Sequence, residues 1–372
     1  MVYKFDQIAY NITTKRTPTK DDMLTYIGLE HLESGSLDVG SYGSKVEIKG
    51  DKLVMTRGDI LLGKRNAYLR RAAIAPHDGL FSAHGMVLRP KEDVIDKSFF
   101  PFFIASDIFF DEAVRISVGG LSPTINWKDL KEVEFTLPSL SEQKVLADKL
   151  WAAYRVKESY KKLLAATDDM LKAKFMEMFG DIFENTRNWK EYGPFPKYTE
   201  ILLGSTPKSS EPSFWNGDVL WITPAEMLDE IVVYSDTARH ITKEGAKNAH
   251  LSILPKGTVL FSTRAPIGKV GIAGQEMYCN QGFKNFHCGE MLNEYFLYYS
   301  LLQKRECFQG LGTGSTFKEL SKSTIEKICI AVPPLDLQCD FAKIFTQAEA
   351  TKESLRKSIE NIDQVIKSLI NQ

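Results

Sequence analysis

The chain has 372 residues, more than one domain normally holds, so two or three domains are expected. Its 47 Lys and Arg against 48 Asp and Glu give a net charge of −1, which excludes a uniformly basic nucleic-acid binder but leaves room for local basic patches. The five cysteines form no CxxC pair, and neither a signal-peptide core nor a membrane-length apolar run is visible. We therefore expect a cytoplasmic protein with reduced thiols and no membrane association.

Residues 1–139 are predicted to form a mixed, strand-rich globular unit. Residues 46–48 and 52–55 have the composition of short strands on either side of Gly50-Asp51, which predicts a hairpin. Residues 58–63 indicate a buried strand that begins and ends with glycine. Further segments are predicted as strands at 72–75, 86–88 and 133–137, and as aromatic-rich helix at 99–104 and 108–114.

A polar loop follows the buried strand and supplies candidates for DNA contact: Lys64, Arg65, Asn66, Tyr68 and Arg70. Arginine matches the O6 and N7 edge of guanine, asparagine matches adenine, and lysine contacts phosphate without reading sequence. The alternative is a solvated loop with ordinary surface charge.

Residues 140–180 predict a long helix with a narrow apolar seam. The seam positions alternate steps of four and three, as in a coiled coil: 146, 150, 153, 157, 160, 164, 167 and 171. Residues 335–372 repeat this seam 195 positions later, including the lysine that interrupts it (Lys157 and Lys352). Residues outside the seam return at the same shift, among them Gln143 as Gln338 and Asp168 as Asp363, which indicates a duplication.

The second unit is predicted at residues 181–334, and it repeats features of the first. Trp221-Ile222 follows Tyr26-Ile27 by 195 positions, and the segment 257–264 matches 58–65 at a shift of 199, so Arg264 corresponds to Arg65. Residues 292–307 repeat the aromatic helix, 310–315 the glycine break and 328–332 the last strand. Its candidates for DNA contact are Thr263, Arg264, Lys269, Asn280, Gln281 and Lys284, with Lys208 and Trp215 as weaker ones.

Two helices of about 40 residues would each span about 55 to 60 Å. Neither narrow stripe is stable alone, so we expect the helices to pair in antiparallel fashion and to hold two similar units apart. The predicted fold class is α+β: two mixed, strand-rich units separated by two long helices that form an antiparallel coiled coil, with a pseudo-two-fold repeat. Lys157 and Lys352 are candidates for docking a partner protein. Alternatively, they snorkel from the helix pair or contact acidic residues across it.

Sequence signals for catalysis are missing. No GxxxxGK[ST] phosphate loop is present, and the glycines at 310–314 lack the preceding strand of a dinucleotide site, so they are interpreted as a helix break. The six histidines show no metal-ligand spacing. We expect no catalytic residue, metal or cofactor in this chain.

Six segments in a fixed order carry a family resemblance: LPSLSEQ at 137–143, GSTPK at 204–208, WI at 221–222, TRAPIGKVG at 263–271, NQGFK at 280–284 and VPPL at 332–335. With them, the whole chain resembles the specificity (S) subunit of type I restriction–modification systems. The first unit departs from the family's Gly-x-Thr-Pro opening and has KRTP at 15–18. Its recognition surface is therefore expected to differ in detail from that of the second unit.

The resemblance implies a division of labour among several chains. Each unit would be a target recognition domain that reads one half of a split site in double-stranded DNA. The helix pair would set the spacer and dock two methyltransferase (modification) subunits, which bind S-adenosylmethionine and methylate adenine. Restriction/translocase subunits that use ATP and Mg would join them in the prokaryotic cytoplasm.

Two other function classes stay open at the sequence level. Near-neutral charge is compatible with a coiled-coil interaction scaffold whose heads bind proteins. A self-sufficient methyltransferase or nuclease ranks lowest, because the two repeats leave little of the chain unassigned.

Overall fold

The computed structural model describes residues 1–227, 231–233, 239–264, 266–312 and 318–371. They form two compact units, Met1–Leu163 with Leu355–Gln372 (unit 1) and Leu164–Ser354 (unit 2). Positions 313–315 of the predicted glycine break lie outside the described residues.

Unit 1 contains β1 (Val2–Lys4), α1 (Phe5–Ile8), β2 (Ala9–Ile12), β3 (Lys15–Arg16), β4 (Lys52–Met55), β5 (Ile60–Gly63), β6 (Ala72–Ile74), β7 (Gly79–Phe81), β8 (Gly85–Pro90), α2 (Phe100–Ala105), α3 (Asp107–Arg115), α4 (Trp127–Leu130), β9 (Glu134–Thr136) and the first part of α5 (Leu140–Phe179). Unit 2 contains the rest of α5, then β10 (Tyr192–Pro194), β11 (Thr199–Leu203), β12 (Trp215–Ile222), β13 (Val232–Val233), β14 (His240–Ile241), α6 (Lys243–Asn248), β15 (Val259–Phe261), β16 (Val270–Ala273), β17 (Tyr278–Cys279), β18 (Lys284–Cys288), α7 (Glu294–Gln303), α8 (Arg305–Leu311), α9 (Lys322–Glu326), β19 (Cys329–Ala331) and α10 (Leu335–Ile370), whose last part belongs to unit 1.

The centre of unit 1 is the antiparallel sheet β2-β8-β5-β6. All four residues of β5 are buried, because this strand is apolar throughout and lies between two others. This confirms the buried strand predicted at 58–63. A second sheet, β3-β4-β7, lies in the same unit.

Aromatic side chains fill the core of unit 1. The ring of Phe5 lies 5.3 Å from that of Phe109, and Phe103 lies 5.2 Å from Phe135, in edge or tilted geometry. Phe103 and Phe109 come from α2 and α3, so the aromatic-rich helices predicted at 99–104 and 108–114 are confirmed.

The hairpin predicted around Gly50-Asp51 is wrong. Residues 46–48 form no strand, and β4 pairs instead with β3 and β7. Val46 is 73% exposed, so its apolar side chain has no sheet face to pack against. The long-range pairing of β4 therefore overrides the local turn signal.

Unit 2 contains the sheets β11-β18-β15-β16-β13 and β14-β12-β17. The aromatic helix predicted at 292–307 is present as α7 and α8, which are separated at Lys304. α8 ends at Leu311 with Gly312 as its C-cap residue, so the helix ends inside the glycine segment that was interpreted as a helix break.

The long helices pair within each unit. In unit 1, Ile366 and Leu369 of α10 pack against the core cluster that includes Leu150 of α5. In unit 2, Phe175 and Phe179 of α5 contact the ring of Phe341 in α10 at 5.2 and 5.7 Å. The start of each helix thus meets the end of the other, which confirms the predicted antiparallel pair. Among the described residues, no helix is long and apolar enough to cross a membrane.

Candidate nucleic-acid interface

The arginine loop of unit 1, residues 64–70, is held in place by hydrogen bonds of its backbone. It follows β5, and the carbonyl of Lys64 accepts a hydrogen bond from the amide of Ile125 at 2.9 Å. Arg65 and Thr124 form an antiparallel bridge. We call these two backbone contacts the bracket. The side chain of Arg65 is exposed, so the bracket holds the backbone of Arg65 and leaves its guanidinium at the surface.

Unit 2 repeats the same bracket. The carbonyl of Thr263 accepts from the amide of Leu320 at 2.9 Å, and Arg264 forms an antiparallel bridge with Glu319. Arg65 and Arg264 therefore occupy equivalent backbone positions, each one residue after a carbonyl that is bonded to the chain before α4 or α9.

Unit 1 surrounds its arginine with positive charge. Burial and the charge of Lys15 hold the pKa of Lys64 below its ordinary value. Burial and the charges of Arg65, Lys64 and Lys52 likewise lower the pKa of His84. The basic cluster of unit 1 is therefore Lys15, Lys52, Lys64, Arg65 and His84.

Three members of this basic cluster were not among the residues predicted from the sequence: Lys15, Lys52 and His84. Lys15 lies on β3, Lys52 lies on the neighbouring β4, and His84 lies in the turn between β7 and β8. Only the pairing of distant strands brings them near the arginine loop. In the sequence, the one indication of extra positive charge here was the KRTP opening at 15–18. It has basic residues where the family's Gly-x-Thr-Pro opening has glycine.

The remaining candidates of unit 1 have other partners. The guanidinium of Arg70 forms ion pairs with Asp107 at 2.8 Å and Asp111 at 2.5 Å on α3. The Asn66 side-chain oxygen accepts from Ser122 Oγ at 2.8 Å, in a left-handed backbone conformation (φ 56°). Tyr68 is 56% exposed and stays available for a contact.

A second loop lies beside the arginine loop. Val118 and Thr124 exchange two backbone hydrogen bonds of 3.0 and 2.9 Å, which close the segment 118–124. At its tip Leu121 is fully exposed, and Gly119, two residues before it, has φ +116°. The bridge of Thr124 to Arg65 joins the two loops, so this tip belongs to the same surface.

In unit 2, Arg264 belongs to a chain of polar contacts. Its Nε donates to Glu319 Oε2 at 2.9 Å, and Lys284 Nζ contacts Glu319 Oε1 at 3.2 Å and donates to Thr263 Oγ1 at 3.1 Å. Thr263 is fully buried and Lys284 nearly so. Burial works to raise the pKa of Glu319, but Arg264 and Lys284 lower it below its ordinary value. Glu319 was not predicted from the sequence, because it lies 55 positions from Arg264.

The GSTPK and NQGFK segments meet in unit 2. A Cβ on Gly204 would lie 1.9 Å from the carbonyl oxygen of Asn280, so only glycine fits there. Thr206 Oγ1 donates to Gln281 Oε1, and Asn280 Oδ1 accepts from the amide of Gly282 at 2.8 Å. Gln281 is exposed and lies in the loop before β18, which also contacts the backbone of Thr263, so the Thr206 contact joins the GSTPK segment to this loop.

The side chains of Lys269 and Trp215 make contacts within unit 2. The ammonium of Lys269 donates to the carbonyls of Pro224 and Met227 at 3.0 and 2.8 Å. Trp215 is 9% exposed, with the guanidinium of Arg239 at 4.3 Å over its ring. Lys208 is exposed, and its carbonyl accepts from Trp215 Nε1 at 3.2 Å.

Comparison with known proteins identifies the family of this chain. A profile described as the type I restriction modification DNA specificity domain matches twice, over residues 2–166 and 199–364. The chain belongs to this family. Each matched specificity domain contains one arginine loop and one lysine of the helix seam. The resemblance found in the sequence is thereby confirmed, and the chain is classed with the non-catalytic specificity subunits.

Relatives of this specificity protein include two from Methanocaldococcus jannaschii. The MjaIX type I restriction enzyme specificity subunit is 34% identical over 45% of this chain and 39% of its own length. The putative MjaX specificity subunit is 26% identical over 92% of this chain and 84% of its own length.

Solved structures show the fold of the specificity chain. The type I restriction-modification S subunit from M. genitalium has a TM-score of 0.60 at 13% identity, covering 100% of this chain and 94% of that one. A chain from a study of complex assembly and conformational transition of the type I R-M system has a TM-score of 0.56 at 18% identity, over 100% and 96%.

The seam lysines of the two specificity domains form matching ion pairs. Lys157 contacts Asp363 at 2.5 Å in unit 1, and Lys352 contacts Asp168 at 2.6 Å in unit 2. Burial lowers the pKa of Lys352, but Asp168 and Glu349 outweigh it and raise this pKa above its ordinary value. These ion pairs agree with the alternative given for both lysines, which was contact with acidic residues across the helix pair. A docking role stays a prediction.

The described residues offer no evident metal centre. Among them, no group of three or more His, Cys, Asp or Glu side chains could hold a metal ion. The surface chemistry is instead that of two arginine loops, one in a cationic setting and one paired with a carboxylate.

Proposed function

We propose that this chain is the DNA sequence-specificity subunit of a type I restriction–modification complex. Each unit acts as a target recognition domain and reads one half of a bipartite DNA site. The observation that carries this proposal is the repeated bracket: the same two backbone contacts present Arg65 in one unit and Arg264 in the other. Two recognition domains with the same backbone bracket but different side chains around the arginine are what a split, asymmetric DNA site requires.

The long helices set the spacer and dock two methyltransferase subunits that methylate adenine. Their surface supports a protein contact, because several large apolar side chains are exposed there: Val145, Val156, Leu163, Met170 and Val365. Lys157 and Lys352 contribute by holding the helix pair through which these subunits bind. The domain boundaries that we propose are 1–139, 140–180, 181–334 and 335–372.

The chemistry belongs to the partner subunits in this proposal. The methyltransferase subunits bind S-adenosylmethionine, and restriction/translocase subunits supply the ATP- and Mg-dependent steps. This chain contributes specificity and scaffold, with no cofactor of its own. The complex works in the prokaryotic cytoplasm, where its double-stranded DNA substrate lies.

A domain exchange tests this function. Residues 1–139 are replaced by the corresponding head of another specificity subunit, and methylated adenines are mapped in cells that contain the partner subunits. We expect one half of the methylated site to change and the other half to stay. Exchange of residues 181–334 is the matched control and should change the opposite half.

An unchanged methylation pattern in both exchanges would contradict the proposal. It would favour the scaffold alternative, in which the heads bind proteins. That alternative also predicts a gel shift without sequence preference when the partner methyltransferase is present.

A further inference from the structure

The two arginine loops share a backbone bracket but differ in what holds the side chain. In unit 2, Glu319 binds the Nε of Arg264 through one carboxylate oxygen at 2.9 Å. In unit 1, the bridged position is Thr124, which carries no charge. The difference is therefore confined to the side chains around equivalent arginines.

Glu319 is itself anchored. Its other oxygen contacts Lys284 at 3.2 Å, and this ammonium also donates to the buried hydroxyl of Thr263 at 3.1 Å. Thr263 Oγ1 in turn donates to the carbonyl of Gly282 at 3.2 Å. A rigid chain of contacts thus runs from the fixed backbone of unit 2 to the arginine, and such support is what orients a binding group before its ligand arrives.

Unit 1 lacks each link of this chain. Lys64 stands in place of Thr263, because both carbonyls accept the equivalent amide. Met86 stands in place of Lys284, because each directly follows the residue bridged to the end of the buried strand, Gly85 or Phe283. The basic cluster of unit 1 instead groups Arg65 with the three lysines Lys15, Lys52 and Lys64 and with His84.

The contact with the carboxylate is made through Nε and leaves the two terminal nitrogens of Arg264 out of this ion pair. Within the described part of the chain, Glu319 is the side-chain partner found for Arg264, which is 46% exposed. The two terminal nitrogens are the pair that binds guanine O6 and N7 in bidentate fashion. A mobile arginine would lose more conformational freedom on making that contact than a fixed one.

We propose that Glu319 is a positioning residue that orients Arg264 to read a guanine in the half-site of unit 2. This inference rests on the proposed function and deepens it. Unit 1 has no such support, so Arg65 acts mainly through the phosphate backbone, together with the surrounding cations.

The test uses the complete chain in complex with its methyltransferase subunits. Binding is measured to a duplex with the methylated site, to duplexes with each base pair of the unit 2 half-site replaced in turn, and to an unrelated duplex. We expect E319A to reduce discrimination about 10-fold at a single guanine. Affinity for the unrelated duplex should hold or rise, because a negative charge has left the DNA-binding surface.

Further variants separate positioning from a structural role. E319Q keeps the acceptor and the shape but loses the charge, so it should retain part of the discrimination. R264A should lose the same guanine preference, and the double variant should be no worse than R264A. Glu290→Ala, at an exposed glutamate of unit 2 beyond the far end of β18, is the matched control and should leave discrimination in both half-sites unchanged.

Three results would overturn the inference: discrimination that E319A leaves intact, an equal loss of binding to every duplex, or an equal gain for every duplex. Equal loss would mark a structural role, and equal gain would mark simple competition with DNA. If the wild-type complex shows no sequence preference at all, the proposed function itself fails. If it shows preference that survives in E319A and E319Q, only this inference fails.

Discussion

At the scale of single residues, His84 in unit 1 has a pKa that depends on its charged neighbours. Burial and the charges of Arg65, Lys64 and Lys52 lower its pKa, so the imidazole is neutral at pH 7. A nearby DNA phosphate has the opposite sign and favours the imidazolium. Binding of DNA at the basic cluster should therefore be coupled to uptake of a proton.

The expected result is a pH-dependent affinity. Because the pKa of His84 is below its ordinary value of about 6.5 in the free protein and rises on binding, affinity should increase a few-fold as the pH falls from 7.5 to 6. His84→Gln should remove this dependence and leave the affinity at pH 7.5 nearly unchanged. The measurement is a binding titration with the methyltransferase complex at several pH values.

His77→Gln is the control, since His77 packs against Tyr42. The same pH slope in His84→Gln and wild type would rule out His84 as the proton acceptor. Folding responds in the opposite sense. The folded free protein holds the His84 proton less tightly than the unfolded chain, so this group costs stability below the unfolded pKa.

The residues of the interface differ in how visible they are in the sequence. Arg65 and Arg264 could be matched because each follows a buried apolar strand at a nearly constant shift. Lys15 and Lys52 could not be placed beside Arg65, because their proximity depends on strand pairing between distant segments. Glu319 was hidden for the same reason, since its bridge to Arg264 spans 55 positions.

At the scale of elements, two buried glutamines attach the long helices to their units. Gln143 is fully buried in the first turn of α5; its side chain accepts from the amide of Asp96 at 2.8 Å and donates to the carbonyls of Val94 and Pro138. Gln338 in α10 makes the equivalent set with Asn293, Met291 and Pro333. Each glutamine thus satisfies three backbone groups at a helix start.

Gln143→Met and Gln338→Met should each lower the free energy of unfolding by about 2 to 3 kcal/mol. Methionine keeps the volume but leaves buried backbone donors and acceptors unpaired. Gln347→Met, at an exposed position of α10, should change stability by less than about 0.5 kcal/mol. Denaturant unfolding of the chain measures all three, and equal effects at buried and exposed positions would contradict the argument.

The elements themselves were predictable where their signal was local. The seam of α5 and its repeat in α10 show a helix period over about seven turns, and β5 is an apolar run between glycines. The hairpin predicted at Gly50-Asp51 is wrong because the turn residues are local, while the partners of β4, residues of β3 and β7, are 24 or more positions away. Turn chemistry cannot reveal which distant strand competes for an edge.

At the scale of the whole molecule, the middle of each long helix contributes no residue to the core clusters of the described chain. Residues 161–167 of α5 and 356–362 of α10 match at the shift of 195 and are exposed or half-buried. Lys157 pairs with Asp363 on one side of them, and Lys352 pairs with Asp168 on the other. These two segments can be shortened without removing a core residue or a seam ion pair.

Deleting both segments should shorten the DNA spacer, if the helix pair sets it as proposed. Seven residues correspond to about 10 Å of helix, or about three base pairs of DNA. A heptad keeps the apolar seam in register, with a residual rotation of only about 20°. Mapping methylated adenines should then give the same two half-sites with about three fewer bases between them. Deleting residues 161–167 alone puts the helices out of register and should abolish methylation, whereas an unchanged spacer in the double deletion would show that the helices do not set the distance.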